Sequence, residues 1–460
     1  MISMSTICAV STPLAEGGLA VIRMSGSKAL EYAGKLFRPF GGKAVSDMPG
    51  YTCAYGKVID PDSGETVDDA VLTVFRAPAS YTGEDTAEIS CHGGIYIAKR
   101  ILRLCLRCGC DQADRGEFTK RAFLNGKLSL TQAESVMDMI SARGEYSLRS
   151  ARLTREGRLA GRIDGIKQKL VTLLGELAAW VDYPEEDLPA VEDTALRSSL
   201  SEAASELSRI LKDYDCGMVL RTGIDTVIAG KPNVGKSTLM NTLLGYERSI
   251  VTEAAGTTRD VIEETARLGE LELRLSDTAG LRETEDRVEK LGVSLAKKRI
   301  SECALVIAVF DTSCELDPED RELLALLREL GKKHIIVLNK SDLGAAADRS
   351  EFEGTGARIL ELSAKNGEGL AELTEAVSEL FGADTYDADS TVFANERQKR
   401  CAEKAYDKLT EALGAAELGE TLDAVTVLID SAVGDLMELT GEKATEAVVD
   451  EVFSKFCVGK

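Results

Sequence analysis

"DTVIAGKPNVGKST", residues 225–238, runs an apolar, strand-like stretch into a glycine-bearing turn and then into a helix. In such a turn Gly230 and Gly235 let the backbone bend tightly and aim its amides at phosphate oxygens. Lys236 then reaches the outer phosphates, and the Ser237 hydroxyl is placed for Mg²⁺. Strand, loop and helix in this order are the context that a phosphate-binding loop requires, so the stretch predicts a P-loop fold. The neighbouring text agrees. From about Thr222 to Phe381 the apolar runs "LELRLSDTAG", "CALVIAVFD", "HIIVLNKSD" and "ARILELSAK" alternate with helical patterns. That alternation implies a mostly parallel sheet with helices on both faces.

The later runs say which base is bound. "NKSD" presents Asn339 and Asp342 at a strand end, where a carboxylate can accept two hydrogen bonds from the N1 and N2 edge of guanine. Adenine lacks that donor pair and would leave the carboxylate desolvated and unpaired. "SAK", Ser363 to Lys365, completes the base pocket, so the expected ligand is GTP. Asp277 in "SDTAGLRE" stands near the metal's outer shell and Gly280 faces the γ-phosphate. Thr258 in "AGTTRD" offers a second Mg²⁺ hydroxyl. Where many small GTPases carry a water-positioning Gln after that glycine, this chain has Leu281, so another residue has to do that work.

Outward from this core, four regions separate by pattern. Residues 1–125 mix strand-like and helical runs and read as an α+β domain. Residues 126–221 have apolar residues at helical spacing, as in "LTQAESVMDMISA". Residues 222–384 form the α/β domain just described, and helical periodicity returns over 385–460. The economical reading is one helical domain split by an inserted α/β domain.

Composition narrows the class. A chain of 460 residues with 44% hydrophobic content and no apolar run of membrane-spanning length reads as a cytoplasmic protein without a membrane anchor. Its start lacks the pattern of a signal peptide. Eleven cysteines without an export signal read as reduced thiols, and "CLRCGC" (Cys105, Cys108, Cys110) has no second C-x-x-C and only His92 and His334 to help it bind zinc. The net charge of −22 argues against a general nucleic-acid binder; an RNA substrate calls for a local basic patch or a basic partner. The final "FCVGK" is not a prenylation box, because Gly459 and Lys460 fill the last two places. Val448, Val449, Val452, Phe453 and Phe456 recur at helical spacing just before it, predicting a packed final helix.

Taken in order, "GKPNVGKST", "GTTRD", "DTAGLRETEDRVE", "NKSD", "SAK" and "FCVGK", behind "SYTGEDTAEISCHGG" and "GEFTKRAFLNGKLSLTQAE", resemble the MnmE (TrmE) family of tRNA-modification GTPases over essentially the whole chain. The resemblance implies a tetrahydrofolate-binding-like N-terminal domain that makes a homodimer, a helical domain, and a Ras-like G domain inserted into it. It implies a GTPase that works with a flavin-dependent MnmG (GidA) partner, which carries FAD, in a heterotetramer or larger complex. Together they add an aminomethyl or carboxymethylaminomethyl group to C5 of the tRNA wobble uridine, position 34. The one-carbon donor is 5-formyl- or 5,10-methylene-tetrahydrofolate.

The resemblance also assigns residues. GTP contacts are Asn233, Val234, Gly235, Lys236, Ser237 and Thr238, then Thr252, Thr257 and Thr258, then Asp277, Thr278, Ala279 and Gly280, and finally Asn339, Lys340, Asp342, Ser363, Ala364 and Lys365. Mg²⁺ falls to Ser237 and Thr258. Hydrolysis is activated by K⁺ when G domains pair, with Asn233, Thr252, Ala254 and Thr257 around the ion and Glu289 orienting the attacking water. Arg23, Glu88, Lys127 and Lys460 are assigned to the folate. Cys457 is a candidate catalytic thiol, with a purely structural thiol as the alternative. A competing class, a GTP-switched assembly or ribosome-biogenesis factor, uses the same G motifs; the N-terminal block and "FCVGK" favour the enzyme.

Overall fold

Alternation with period two in "TVDDAVLTVF" buries Ala70, Leu72 and Val74 and turns Val71 outward, as a sheet covered on one face requires. The computed structural model describes residues 5–142, 145–182, 193–246, 264–269, 271–276, 298–344, 346–352, 354–383 and 393–460. Its first sheet comprises β1 (Ile7–Val10), β2 (Leu19–Ser25), β3 (Phe37–Pro39), β4 (Thr52–Ile59), β5 (Thr66–Phe75), β6 (Thr86–His92) and β7 (Asp111–Gln112). The strand order is β3-β4-β5-β6-β2-β1-β7, with only β1 and β7 parallel. Helices α1 (Ala29–Leu36) and α2 (Ile95–Arg107) cover the inner face, where Ile22, Met24, Leu36, Leu72, Ile89 and Ile101 share one core. The other face carries Arg23 on β2 and Glu88 on β6, cross-strand partners in the antiparallel register. A short helix, α3 (Glu117–Leu124), follows β7.

Helices α4 (Leu130–Ser141), α5 (Glu145–Arg155), α6 (Arg158–Asp182) and α7 (Asp193–Thr222) come next. In α6 the residues Leu159, Ile163, Ile166, Leu170, Leu173 and Leu177 are buried, the three- and four-residue spacing of one apolar stripe.

The second sheet is formed by β8 (Ile224–Ala229), β9 (Glu264–Leu268), β10 (Leu271–Ser276), β11 (Leu305–Asp311), β12 (His334–Asn339) and β13 (Arg358–Leu362). Its order is β13-β12-β11-β8-β10-β9, parallel except for β9 with β10. Helix α8 (Lys236–Tyr246) follows β8, α9 (Pro318–Leu330) joins β11 to β12, and α10 (Leu370–Phe381) follows β13. The run "LVIAVF" is apolar without alternation because both sheet faces are covered. Leu305, Ile307 and Val309 enter one core, and Val306, Ala308 and Phe310 enter the other.

The chain ends in α11 (Glu396–Leu418), α12 (Leu422–Thr440) and α13 (Glu446–Ser454). Thr445 caps α13 by accepting from the Val448 amide. Val449, Val452, Phe453 and Phe456 then pack with Leu130 and Ala133 of α4, and Val448 is partly buried beside them. Arg397 of α11 grips Glu134 of α4 through Nε–Oε1 at 2.8 Å and Nη2–Oε2 at 2.9 Å, and donates to the carbonyls of Glu438 and Leu439 on α12.

By contacts the chain divides into two compact units. One comprises Met1–Ile140, Leu153–Leu207 and Glu396–Lys460, the other Ser141–Arg152 and Ser208–Asn395. Residues 141–152 and 208–221, assigned from the sequence to the helical region, cluster with the second unit. Tyr146 and Val219 lie against its apolar core and account for that. The fold class reads as expected from the sequence: α+β, then α, then an α/β part with a mostly parallel sheet. Among the described residues no helix is long and apolar enough to cross a membrane.

Candidate functional site

Three tight backbone positions shape the loop between β8 and α8. Gly230 has φ 152°, and a Cβ there would stand 2.3 Å from the Val309 carbonyl oxygen. Gly235 has φ 101°, and its Cβ would meet the Asn339 side chain at 2.2 Å. Asn233 holds φ 65° in the left-handed region that Asn tolerates better than most residues. Val234 is buried as the loop's anchor, whereas Asn233, Ser237 and Thr238 are exposed. The N-terminal amides of α8 lack intrahelical partners and, with the helix dipole, favour a phosphate at this place.

Asn339 ties the loop to the segment after β13. Its Nδ2 donates to the Val234 carbonyl at 2.8 Å, and its Oδ1 accepts from the Ala364 amide at 2.9 Å. On α8, the Thr242 hydroxyl donates to the Ala364 carbonyl at 2.8 Å. Beside them Asp342 is exposed, and its Oδ1 accepts from the buried Ser363 hydroxyl at 2.8 Å. The Ser363 hydroxyl thus fixes one carboxylate oxygen, and the carboxylate retains acceptor capacity for further donors. Lys340, at φ 64°, bonds the Asp311 carboxylate. Burial pushes Asp311 up, but the Lys340 ammonium and the Ser313 hydroxyl and amide outweigh it and hold the carboxyl below its ordinary range. Lys365 is exposed next to Ala364. Thr252, Ala254, Thr257, Thr258, Asp277, Thr278, Ala279, Gly280 and Glu289 lie outside the described residues.

A second constellation sits on the outer face of the first sheet. Arg23 Nε donates to Glu88 Oε1 at 2.7 Å, with the side chains 19% and 23% exposed. The Arg23 guanidinium also lies 5.5 Å from the centroid of the fully buried Phe118 ring, a cation–π placement that fixes its plane. The segment after α13 runs into this corner. The Cys457 carbonyl accepts from the Gly116 amide at 3.3 Å, Val458 pairs with Arg115, and the Lys460 carbonyl accepts from the Phe118 amide at 3.2 Å. The Gly459 carbonyl accepts from Ser11 Oγ at 3.2 Å and from Arg23 Nη1 at 3.4 Å.

Only glycine fits that crossing. Gly459 has φ 91°, and a Cβ would come 2.6 Å from the Val10 carbonyl oxygen. Gly116 has φ 66°, and its Cβ would lie 2.8 Å from Phe456 Cβ. Arg23, Glu88 and the Gly459–Lys460 end are therefore brought together. Lys127 instead donates to the Pro78 carbonyl at 3.0 Å, and the Cys457 residue is exposed. Phe118, Ser11 and Gly116 were not singled out from the sequence, and Gly459 was named there only for its place in "FCVGK". Their partners lie far away in the chain.

Among the described residues no group of three or more His, Cys, Asp or Glu is arranged to hold a metal. Of the "CLRCGC" thiols, Cys105 and Cys110 are buried and Cys108 is half-buried.

Comparison with known proteins gives the family. Residues 130–457 match the family model described as the MnmE helical domain, and residues 6–127 match the GTP-binding protein TrmE N-terminus. The chain belongs to the MnmE family. The protein named tRNA modification GTPase MnmE from Carboxydothermus hydrogenoformans is 41% identical over 99% of this chain and 99% of its own. The MnmE of Acetivibrio thermocellus is 40% identical, again over 99% of each chain. A solved structure of the FeoB G-domain from Methanococcus jannaschii is 25% identical, covering 35% of this chain and 98% of its own, with a TM-score of 0.26. Within the MnmE family frame, the P-loop corner and the Arg23 corner belong to separately matched parts of one chain.

Proposed function

We propose that this chain is a GTP-hydrolysing enzyme of tRNA modification that, with a flavin-dependent MnmG-type partner carrying FAD, installs an aminomethyl or carboxymethylaminomethyl group on C5 of the wobble uridine. The observation that carries the reading is the combination, in one chain, of an aimed Asp342 carboxylate behind a P-loop and an Arg23–Glu88 pair completed by the Gly459–Lys460 end. Asp342 reads guanine, Lys236 and the loop amides hold phosphate, and Ser237, exposed in the first turn of α8, is free to ligate Mg²⁺. Bound there, Mg²⁺ neutralises charge on the β- and γ-phosphates.

Asn233 has its side chain on the solvent side of the loop and is the residue we assign to K⁺, with Thr252, Ala254 and Thr257 as its companions and Glu289 as the water-orienting residue. On the first sheet, Glu88 offers carboxylate oxygen to the donor edge of a pteridine, and Arg23, Lys127 and Lys460 supply positive charge for a folate glutamate tail. Tetrahydrofolate supplies the one-carbon unit when bound. Homodimerisation through the N-terminal domain is supported by the same sheet face, which leaves Phe40, Tyr51, Tyr55 and Val71 exposed. The setting we assign is the cytoplasm.

The test is mass spectrometry of wobble nucleosides in cells lacking this chain, paired with GTP turnover in K⁺ and Na⁺ at matched ionic strength. Loss of the C5 modification and faster turnover in K⁺ are expected. Normal wobble nucleosides would remove the tRNA reading, and equal rates in the two salts would remove the K⁺ assignment.

A further inference from the structure

Lys231 follows the first glycine of the P-loop, and neither nucleotide contact nor metal binding has been assigned to it. Its side chain is 16% exposed and its Nζ lies 2.7 Å from Asp317 Oδ2 and 2.7 Å from Asp320 Oδ2. These carboxylates form the capping box of α9: Asp317 Oδ1 accepts from the Asp320 amide at 3.1 Å, and Asp320 Oδ2 accepts from the Asp317 amide at 3.3 Å. Asp320 is 4% exposed, and its Oδ1 has no hydrogen-bond partner among the described residues. Two carboxylates this close repel each other, and the single ammonium between them relieves that repulsion. Hydrogen bonding to Asp317 and Asp320 raises the Lys231 ammonium above the ordinary lysine range, so it stays charged throughout the neutral region.

The other end of the same residue faces the nucleotide machinery. The Lys231 carbonyl accepts from Lys236 Nζ at 2.7 Å. One residue thus holds the start of α9 by its side chain and the phosphate-reaching lysine by its backbone. The loop between them runs through Asn233 and Gly235 at positive φ. Such a segment carries a large conformational entropy, and ordering it on binding subtracts from affinity.

We propose that Lys231 is a positioning residue for the phosphate loop, a tether to the α9 capping box that holds the loop in its phosphate-binding shape before nucleotide arrives. The inference rests on the reading of this loop as a nucleotide site. GDP binding by the parent chain tests that reading separately. The tether acts on phosphate contacts and leaves the Asp342 base contact alone, so it makes a prediction that a plain helix anchor does not.

The experiment measures GDP and GMP affinities of the full chain by calorimetry or competition, for the parent, Lys231→Met, Lys231→Arg and Asp317→Asn, with melting temperature recorded for each. Lys231→Met should weaken GDP about tenfold while GMP, which lacks the β-phosphate, changes less than about twofold. Lys231→Arg, which can still reach both carboxylates, should restore most of the difference. Asp317→Asn keeps an acceptable helix cap but removes one charge, and should lower the GDP-to-GMP affinity ratio by about threefold. An unchanged ratio in a folded Lys231→Met protein, with or without a lower melting temperature, overturns the proposal. Should that variant fail to fold, the ratio in Asp317→Asn decides in the same way.

Discussion

In the second unit the proposed phosphate loop, Gly230 to Thr238, is one unbroken stretch, and the proposed base pocket adds two short runs at the ends of neighbouring strands. In the first unit Arg23 meets Glu88 across 65 positions and Gly459 across 436. The reason is the sheet architecture. A parallel sheet brings the ends of its strands to one edge, so loops that each carry a complete motif converge there. An antiparallel sheet face takes single side chains from alternate positions of several strands, and each strand contributes one residue. The contrast teaches that a site's visibility in sequence follows the geometry of its sheet as much as its importance.

Four experiments break or sharpen this contrast. The largest effect is expected at the clamp that closes the first unit. Arg397→Met leaves the Glu134 carboxylate, 8% exposed, with the Gln398 amide but without its cation, and should lower stability to denaturant by about 3–5 kcal/mol. A loss under about 1 kcal/mol would mean that the long-range ties of the first unit are not what holds it. Next, Asp342→Asn should weaken GTP by at least about a hundredfold and favour xanthosine triphosphate, since an amide cannot accept both guanine donors. Competition binding checks it, and an unchanged preference for GTP would break the claim that one aimed carboxylate reads the base.

Gly459→Ala comes third. A methyl there meets the Val10 carbonyl at a positive φ, so the terminal segment should leave the Arg23 corner. Wobble-uridine modification should drop about tenfold while GTP turnover stays within twofold; parallel losses would join the two regions that the contrast separates. The smallest effect concerns thiols. Burial pushes Cys91 and Cys303 up to about 11, above the ordinary thiol value of 9.0. Because the folded state keeps these groups neutral, their contribution to stability is complete below pH 9 and declines as pH rises from about 9 to about 11. Iodoacetamide at pH 8 should label the exposed Cys53, Cys314 and Cys457 and spare Cys91 and Cys303.

Legibility divided along the same line. The strand, turn and helix around Gly230–Thr238, the strand ends that carry "NKSD" and "SAK" and the packed final helix were readable because each is local: φ demands and apolar spacing sit within a few residues. The stacking of Arg23 on Phe118, the two glycines that let the terminal segment cross β1 and α3, and the partnership of Lys231 with Asp317 were not readable. Nothing in "GKPN" announces a carboxylate pair 86 and 89 positions away. The clustering of residues 141–152 and 208–221 with the second unit was not readable for a related reason. Helical periodicity says that one face is buried, and it does not say against which core.

The bond between Arg23 and the Gly459 carbonyl also has a consequence for biosynthesis. At an elongation speed of about 5–20 residues per second, roughly 20–90 s separate the synthesis of one partner from that of the other. During that interval the first sheet can fold, but its outer corner stays open while the entire α/β stretch is made and folds. A nascent chain should therefore acquire the ability to bind GTP before its Arg23 corner is complete. Premature termination within the last helix would release a molecule that consumes nucleotide without a finished partner site.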